Sequence, residues 1–235
     1  MRKGFLIVSL MAFFIVLNVE AAALNVIDDF DKALKISQLE SKKAIVMFSD
    51  PGCFYCNKFK KETLKEEEVQ NLLNVNFIFS EIYPDTNKKS EFLDQELTYR
   101  DLYGAFRVSG TPTFWFFTEE GTPLTFLPGF VDAQNFVKIL RYMAQELYKK
   151  DIKFSDYINQ KDDFIGVPSI TEINMKDFDW LLKNDDAMVF IENVDNMKNF
   201  DPFTKYAVES KEIAEKLIKM GAYNVFLKTE TVNQK

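Results

Sequence analysis

Histidine is absent from this chain of 235 residues, and cysteine occurs only twice. Without imidazole there can be no Ser-His-Asp triad, no Cys-His pair and no histidine-ligated zinc or haem. The two cysteines, Cys53 and Cys56, would close too small a loop to staple a fold, which excludes a disulfide scaffold. Basic charge is in deficit as well, with 29 Lys and Arg against 36 Asp and Glu and a net charge of −7. No basic stripe suited to phosphates appears, so a nucleic-acid partner is not expected. No internal repeat or low-complexity tract stands out.

What is present is a globular composition, 47% apolar and 28% charged, with 24 Phe to fill a core. The length suits one domain with an addition, or two small ones. Arg2 and Lys3 precede an uncharged, apolar run from Gly4 to Leu17, followed by Val19-Glu20-Ala21-Ala22-Ala23. A positive start, an apolar stretch and a small-residue site predict a secretory signal peptide over residues 1–21, and hence a periplasmic protein. The alternative is an uncleaved anchor, but the run is short for a hydrocarbon core about 30 Å thick. In either case the membrane is met only through this segment.

From residue 27 the pattern reads helix, strand, helix, strand, helix, strand, strand, helix. The elements are a helix over 27–41, a buried strand at 43–48, a turn at Ser49-Asp50-Pro51-Gly52 and a helix from about Cys53, continuing through 66–73. A strand over 75–82, a polar loop or helix over 85–96, a helix over 99–106, a hairpin of 113–118 with 124–127, and a helix from Asp132 complete the unit. The helical crossover favours parallel pairing of the first two strands, and the last two form an antiparallel hairpin. The fold class is therefore mixed α/β, a central sheet flanked by helices, over residues 22–150. A connector is expected at 151–168. A small α/β extension at 169–235 follows, with helices at 175–182 and 206–220 and strands at 187–191 and 223–227.

The chemistry lies in Cys53-Phe54-Tyr55-Cys56, where a strand and turn feed a helix. A cysteine in the first helical turn meets unpaired N–H groups and the positive end of the dipole, which favour its thiolate. Cys53 is the expected nucleophile and Cys56 the resolving thiol, in a thiol–disulfide exchange that needs no cofactor beyond the two sulfurs. A zinc site would lack its other ligands, and haem attachment fails because Asn57 stands where a histidine is required. Phe54 and Tyr55 are expected to be partly exposed beside Cys53, as candidate contacts for apolar substrate. The aromatic strand Phe114-Trp115-Phe116-Phe117 reads as core.

Gly110-Thr111-Pro112-Thr113 precedes that aromatic strand. With the upstream C-x-x-C and this order of elements, the chain resembles the thioredoxin superfamily. The resemblance implies that Pro112 is cis and that Thr111 offers its backbone to substrate. The blocks FSDPGCFYCNKFKKETL and LYGAFRVSGTPTFWFFTEEGTPLTFLPGF are similar to the exported SoxW-type members, over roughly residues 26–150. What this implies is a periplasmic disulfide oxidoreductase acting on client proteins, with a membrane thiol relay as electron donor.

Three departures bear on mechanism. The acid that many members carry six residues before the first cysteine is replaced by Met47, so the proton acceptor for Cys56 must be water or an acid elsewhere. Gly52 replaces a Trp, and no histidine lies between the cysteines. Without that imidazolium the expected direction is reduction, or a mid-range potential. Two alternatives are a disulfide oxidant or isomerase, and a carrier holding a persulfide on Cys53. The stretch from Ile213 to Val225 resembles the end of a rhodanese domain, but no cysteine follows Cys56, so that piece would be degenerate and non-catalytic.

Overall fold

The computed structural model describes residues 24–92, 95–195, 197 and 199–230; the expected signal segment lies outside them. In chain order the first unit comprises β1 (Val26–Ile27), α1 (Phe30–Glu40), β2 (Lys43–Phe48), α2 (Phe54–Lys58), α3 (Glu67–Asn76) and β3 (Phe77–Ile82). It continues with β4 (Lys89–Phe92), β5 (Gln95–Thr98), α4 (Tyr99–Ala105), β6 (Thr113–Phe117), β7 (Pro123–Pro128) and α5 (Ala133–Ala144). Beyond it lie α6 (Phe154–Tyr157), β8 (Ser169–Asn174), α7 (Met175–Asn184), β9 (Met188–Phe190), β10 (Lys205–Val208), α8 (Lys211–Met220) and β11 (Asn224–Thr229).

The first sheet has the order β1-β3-β2-β6-β7. β2 runs parallel to β3 and antiparallel to β6, and β6 and β7 form the antiparallel hairpin. Every residue of β2 and β3 is buried, because both faces of the sheet are covered. Alternate side chains therefore serve two cores. Ala44, Val46, Phe48, Ile78 and Ile82 pack towards α1 and α4. Ile45, Met47, Phe77 and Phe79 pack with Phe59, Phe114, Phe116 and Phe136 on the opposite face. Helix starts are capped by side chains, Asp29 to Lys32 N, Asp132 to Asn135 N, and Thr98 with Asp101 in a reciprocal capping box.

The second sheet is fully parallel, ordered β8-β11-β10-β9. It docks on the first unit through shared core and shared charge. Ile173, Phe178, Leu181, Ala207 and Phe226 join the cluster built on Phe30 and Ile36 of α1. At the same junction Lys205 reaches Glu40 Oε1 at 2.8 Å and Asp185 Oδ2 at 2.7 Å, while Lys42 lies 3.1 Å from Glu40 Oε2. The segment 151–168 is held to the first unit, with Arg141 Nε donating to the Phe164 carbonyl (2.8 Å) and Asn76 Nδ2 to that of Ile165 (2.7 Å).

Four expectations need correction. The stretch 85–96, read as polar loop or helix, instead holds β4 and the start of β5, which pair antiparallel with cross-strand contacts such as Lys89 with Glu96. Tyr206, Ala207 and Val208, read into the last helix, belong to β10; an apolar run between two strands is a strand regardless of its helical spacing, and the helix starts only after the Ser210 cap. β1 occupies Val26–Ile27, where the helix was expected to begin, and β8 arises in a stretch with no apolar alternation. The helix begun at Cys53 does not run into α3: a π-helical segment at Phe59–Thr63 closes it, with Leu64 N donating to the Phe59 carbonyl at 2.9 Å.

Candidate redox site

β2 ends at Phe48 and the chain turns through Ser49–Gly52, with Ser49 N donating to the Ile82 carbonyl (2.9 Å) and Asp50 Oδ1 accepting from Gly52 N (2.9 Å). Tyr103 of α4 donates its hydroxyl to the Ser49 and Ile82 carbonyls, tying the ends of β2 and β3 together. Burial drives the Tyr103 phenol upward against the opposing effect of its bond to Ser49, so it stays a donor over the ordinary pH range. The turn is thus fixed from below.

Cys53 is the N-cap of α2. Its Sγ accepts from Cys56 N at 3.0 Å, and a disulfide joins it to Cys56 with a Cα–Cα separation of 5.3 Å. Cys53 is half-buried, whereas Cys56 is 1% exposed. That asymmetry is what a nucleophile and a resolving thiol require. A thiolate at position 53 receives a helix-terminal N–H and the positive end of the dipole.

The aromatic pair between the cysteines points outward. Phe54 is 72% exposed and Tyr55 55%, packed edge to face at 5.4 Å. Tyr55 also meets Phe130 (6.3 Å), over which Lys58 Nζ sits at 4.7 Å. The result is an exposed aromatic surface around Cys53, carried on a rigid helix start.

Thr111 and Pro112 enter at the same end of the sheet, because Thr113 pairs with Phe48. The Thr111–Pro112 peptide bond is cis. Pro112 is buried, its carbonyl accepting from Gly129 N at 2.7 Å, and Thr111 stands partly exposed before the ladder begins at Thr113. In the aromatic strand Phe114, Phe116 and Phe117 are core, while Trp115 is half-buried, stacked on Phe126 at 5.0 Å.

One charged group beneath the site escapes the sequence reading. Met47 pairs with Glu81 across the parallel β2–β3 ladder, so Glu81 shares the face on which Phe59 of the π-helical segment packs. Lys60, one turn beyond Cys56, holds both Glu81 oxygens at 2.9 and 3.2 Å, and Tyr83 donates to Oε1 at 2.7 Å. Burial acts to lower the Lys60 ammonium, but hydrogen bonds to Glu81 and Tyr83 prevail and hold it above its ordinary range. The signal available in the sequence was a lone carboxylate within the apolar strand FIFSEI.

Comparison with known proteins agrees with this architecture. Residues 30–144 match the family model of a thioredoxin-like domain. No curated protein matches the chain. Among solved structures it is similar to a thioredoxin-fold protein from Helicobacter pylori, with 20% identity, coverage of 56% of this chain and 84% of that one, and a TM-score of 0.44. A thioredoxin from Thermus thermophilus gives 24% identity, 51% and 87% coverage and a TM-score of 0.42. The C-terminal domain of Neisseria meningitidis DsbD in the reduced form gives 21%, 46%, 89% and 0.37. Residues 30–144 are thus similar to a thioredoxin-like domain, and the C-x-x-C pair stands at the start of α2 with further α/β elements C-terminal to it.

Proposed function

We propose that the protein is an exported thiol–disulfide oxidoreductase that reduces or shuffles disulfides in client proteins through Cys53 and Cys56. The observation that carries this reading is the pair itself: one sulfur accessible at a helix start and accepting an N–H at 3.0 Å, its partner buried one turn on. The Cys53 thiolate attacks a client disulfide, forming a mixed disulfide and releasing one client thiolate. Cys56 then attacks Cys53 Sγ, expels the second client thiolate and leaves the Cys53–Cys56 disulfide; two electrons pass to the client. A client strand would lie along the backbone of Thr111 beside cis-Pro112, with Phe54 and Tyr55 as apolar contacts. A thiol donor, expected at the membrane, would regenerate the dithiol.

Two supports are specific. No histidine adds a further charge to stabilise the Cys53 thiolate, which favours the reducing direction. Export is supported by the charge and apolar pattern of residues 1–21, and cell fractionation with the mass of the mature chain tests it. For the chemistry, Cys53→Ser should abolish reduction of insulin disulfides, and Cys56→Ser should accumulate mixed disulfides with clients. Full activity of Cys53→Ser would overturn the mechanism, and a persistent 32 Da adduct on Cys53 as isolated would point to a persulfide carrier instead.

A further inference from the structure

We propose that Glu81, carried on β3 and pinned by Lys60 and Tyr83, is the proton acceptor for the Cys56 thiol when a client mixed disulfide is resolved. The inference rests on the oxidoreductase reading and names a residue that reading leaves open. Cys56 must lose a proton before it can attack Cys53 Sγ, and it is buried, so bulk solvent has poor access to it. β2, with the sequence KAIVMF, contributes no acid.

Among the described residues the buried carboxylates are Glu40, Glu81 and Asp185. Glu40 and Asp185 are bound to Lys205 where the second sheet docks, at the end of α1 that leads into the start of β2. Glu81 alone of the three lies at the end of its strand beside the redox turn, where Ser49 N meets the Ile82 carbonyl, and it pairs with Met47 on the face covered by Phe59, three residues after Cys56. Lys60 links the two directly. It stands one helical turn after Cys56, and its ammonium meets both Glu81 oxygens.

Tyr83 follows β3 and donates to Glu81, and Tyr103 of α4 feels the charges of Asp50 and Glu81. Asp28 immediately follows β1, whose last pair is Ile27 with Ser80. Lys60 is the cation in contact, its ammonium 2.9 Å from Glu81 Oε1. In the step itself the Cys56 S–H bond breaks, its proton passes to a Glu81 oxygen directly or across one water, the new Cys53–Cys56 bond forms, and the client thiolate leaves. Glu81 then returns the proton to the departing thiolate or to solvent.

The test has two arms. In reduced protein carrying Cys53→Ser, the Cβ chemical shift of labelled Cys56 is titrated by NMR. Glu81→Gln leaves Lys60 uncompensated and should lower the Cys56 pKa, whereas Lys60→Met leaves Glu81 uncompensated and should raise it, each by about half a unit or more. Absence of both opposed shifts would overturn the proposal. In the second arm, client release from a preformed mixed disulfide should slow by about a hundredfold near pH 7 in Glu81→Gln, and recover above about pH 9 as the thiol ionises unaided. A pH profile superimposable on that of the parent would overturn it. So would equal losses in Glu81→Gln and Lys60→Met with no change of profile, since a purely structural ion pair predicts that result. Failure of the oxidoreductase reading appears separately, as no mixed disulfide in Cys56→Ser, and leaves the Cys56 titration decisive.

Discussion

Lys205 of the second sheet and Glu40 of the first unit meet at 2.8 Å with both side chains almost wholly buried, and Asp185 closes the group at 2.7 Å from the same ammonium. Lys42 adds the second positive charge, so two cations face two carboxylates inside the junction between the sheets. Burial raises Glu40 against the pull of Lys205 and Lys42. For Asp185 burial acts in the same sense, but Lys205, Glu40 and Asn25 prevail and hold its carboxyl well below the usual range. The docking of the C-terminal elements is thus specified by charge as well as by the apolar contact of α1 with Phe178 and Leu181.

Removing one member strands the others. Lys205→Met should destabilise the whole chain by about 3–5 kcal/mol, because two buried carboxylates lose their shared cation. Urea unfolding followed by tryptophan fluorescence checks this, with Trp115 in the first unit and Trp180 in α7 reporting on both. A loss under about 1 kcal/mol would mean that the junction opens at little cost.

Lys42 gives a pH signature. Burial lowers its ammonium to about 8 from the ordinary 10.5, despite attraction from Glu40. Between those values the unfolded chain holds a proton that the folded chain has released, so this residue makes stability rise with pH, by at most about 1.4 kcal/mol per unit. Lys42→Met should remove that rise. The check is the difference in unfolding free energy between parent and variant at pH 8 and pH 10.

Gly166 lies where the connecting segment packs against Val75 and Asn76 of the first unit. A Cβ there would overlap Val75 Cγ1 and crowd Asn76 Oδ1 at 3.2 Å, with Tyr223 Cδ1 at 3.5 Å. Gly166→Ala should therefore cost about 1–3 kcal/mol, read as a lower urea midpoint with an unchanged slope.

Phe54 and Tyr55 bury little in the free protein, so Phe54→Ala with Tyr55→Ala should leave the unfolding midpoint nearly unchanged. If they contact clients, reduction of a protein disulfide should slow by about fivefold or more, while a small soluble disulfide is reduced within about twofold of the parent rate. Stopped-flow comparison of the two substrates decides it; equal slowing of both would assign the pair a role in setting thiol reactivity instead.

Much of the first unit was legible because its signals are local. KAIVMF is too short and too apolar for anything but a buried strand before a turn, Asp132 announces α5, and β6 and β7 are joined by a turn the sequence spells out. β10 was misread because Tyr206, Ala207 and Val208 continue smoothly into the apolar face of α8, and only their neighbours β9 and β11 make them a strand. The hairpin of β4 and β5 escaped because it offers the core only Phe92 and Leu97, too few apolar residues to show an alternating face. Glu81 was not legible as part of the site because it is a lone carboxylate in an apolar strand, and nothing local records that Lys60 meets it.

The sequence by itself determined the two thiols, their order and their place. A spacing of three residues at a helix start is a local property, and the turn before Cys53 and the hydrogen bond from Cys56 N follow from a handful of neighbouring dihedrals. Only the tertiary structure decided which residues of distant segments meet there. The register of β2 on β3 sets Glu81 beside Met47, the β6 ladder brings Thr111 and Pro112 to the end of the sheet that carries Cys53, and the docking of the second sheet places Lys205 on Glu40. A one-residue slip of any of those strands would turn these side chains to the other face, and no local pattern in the chain records which register wins.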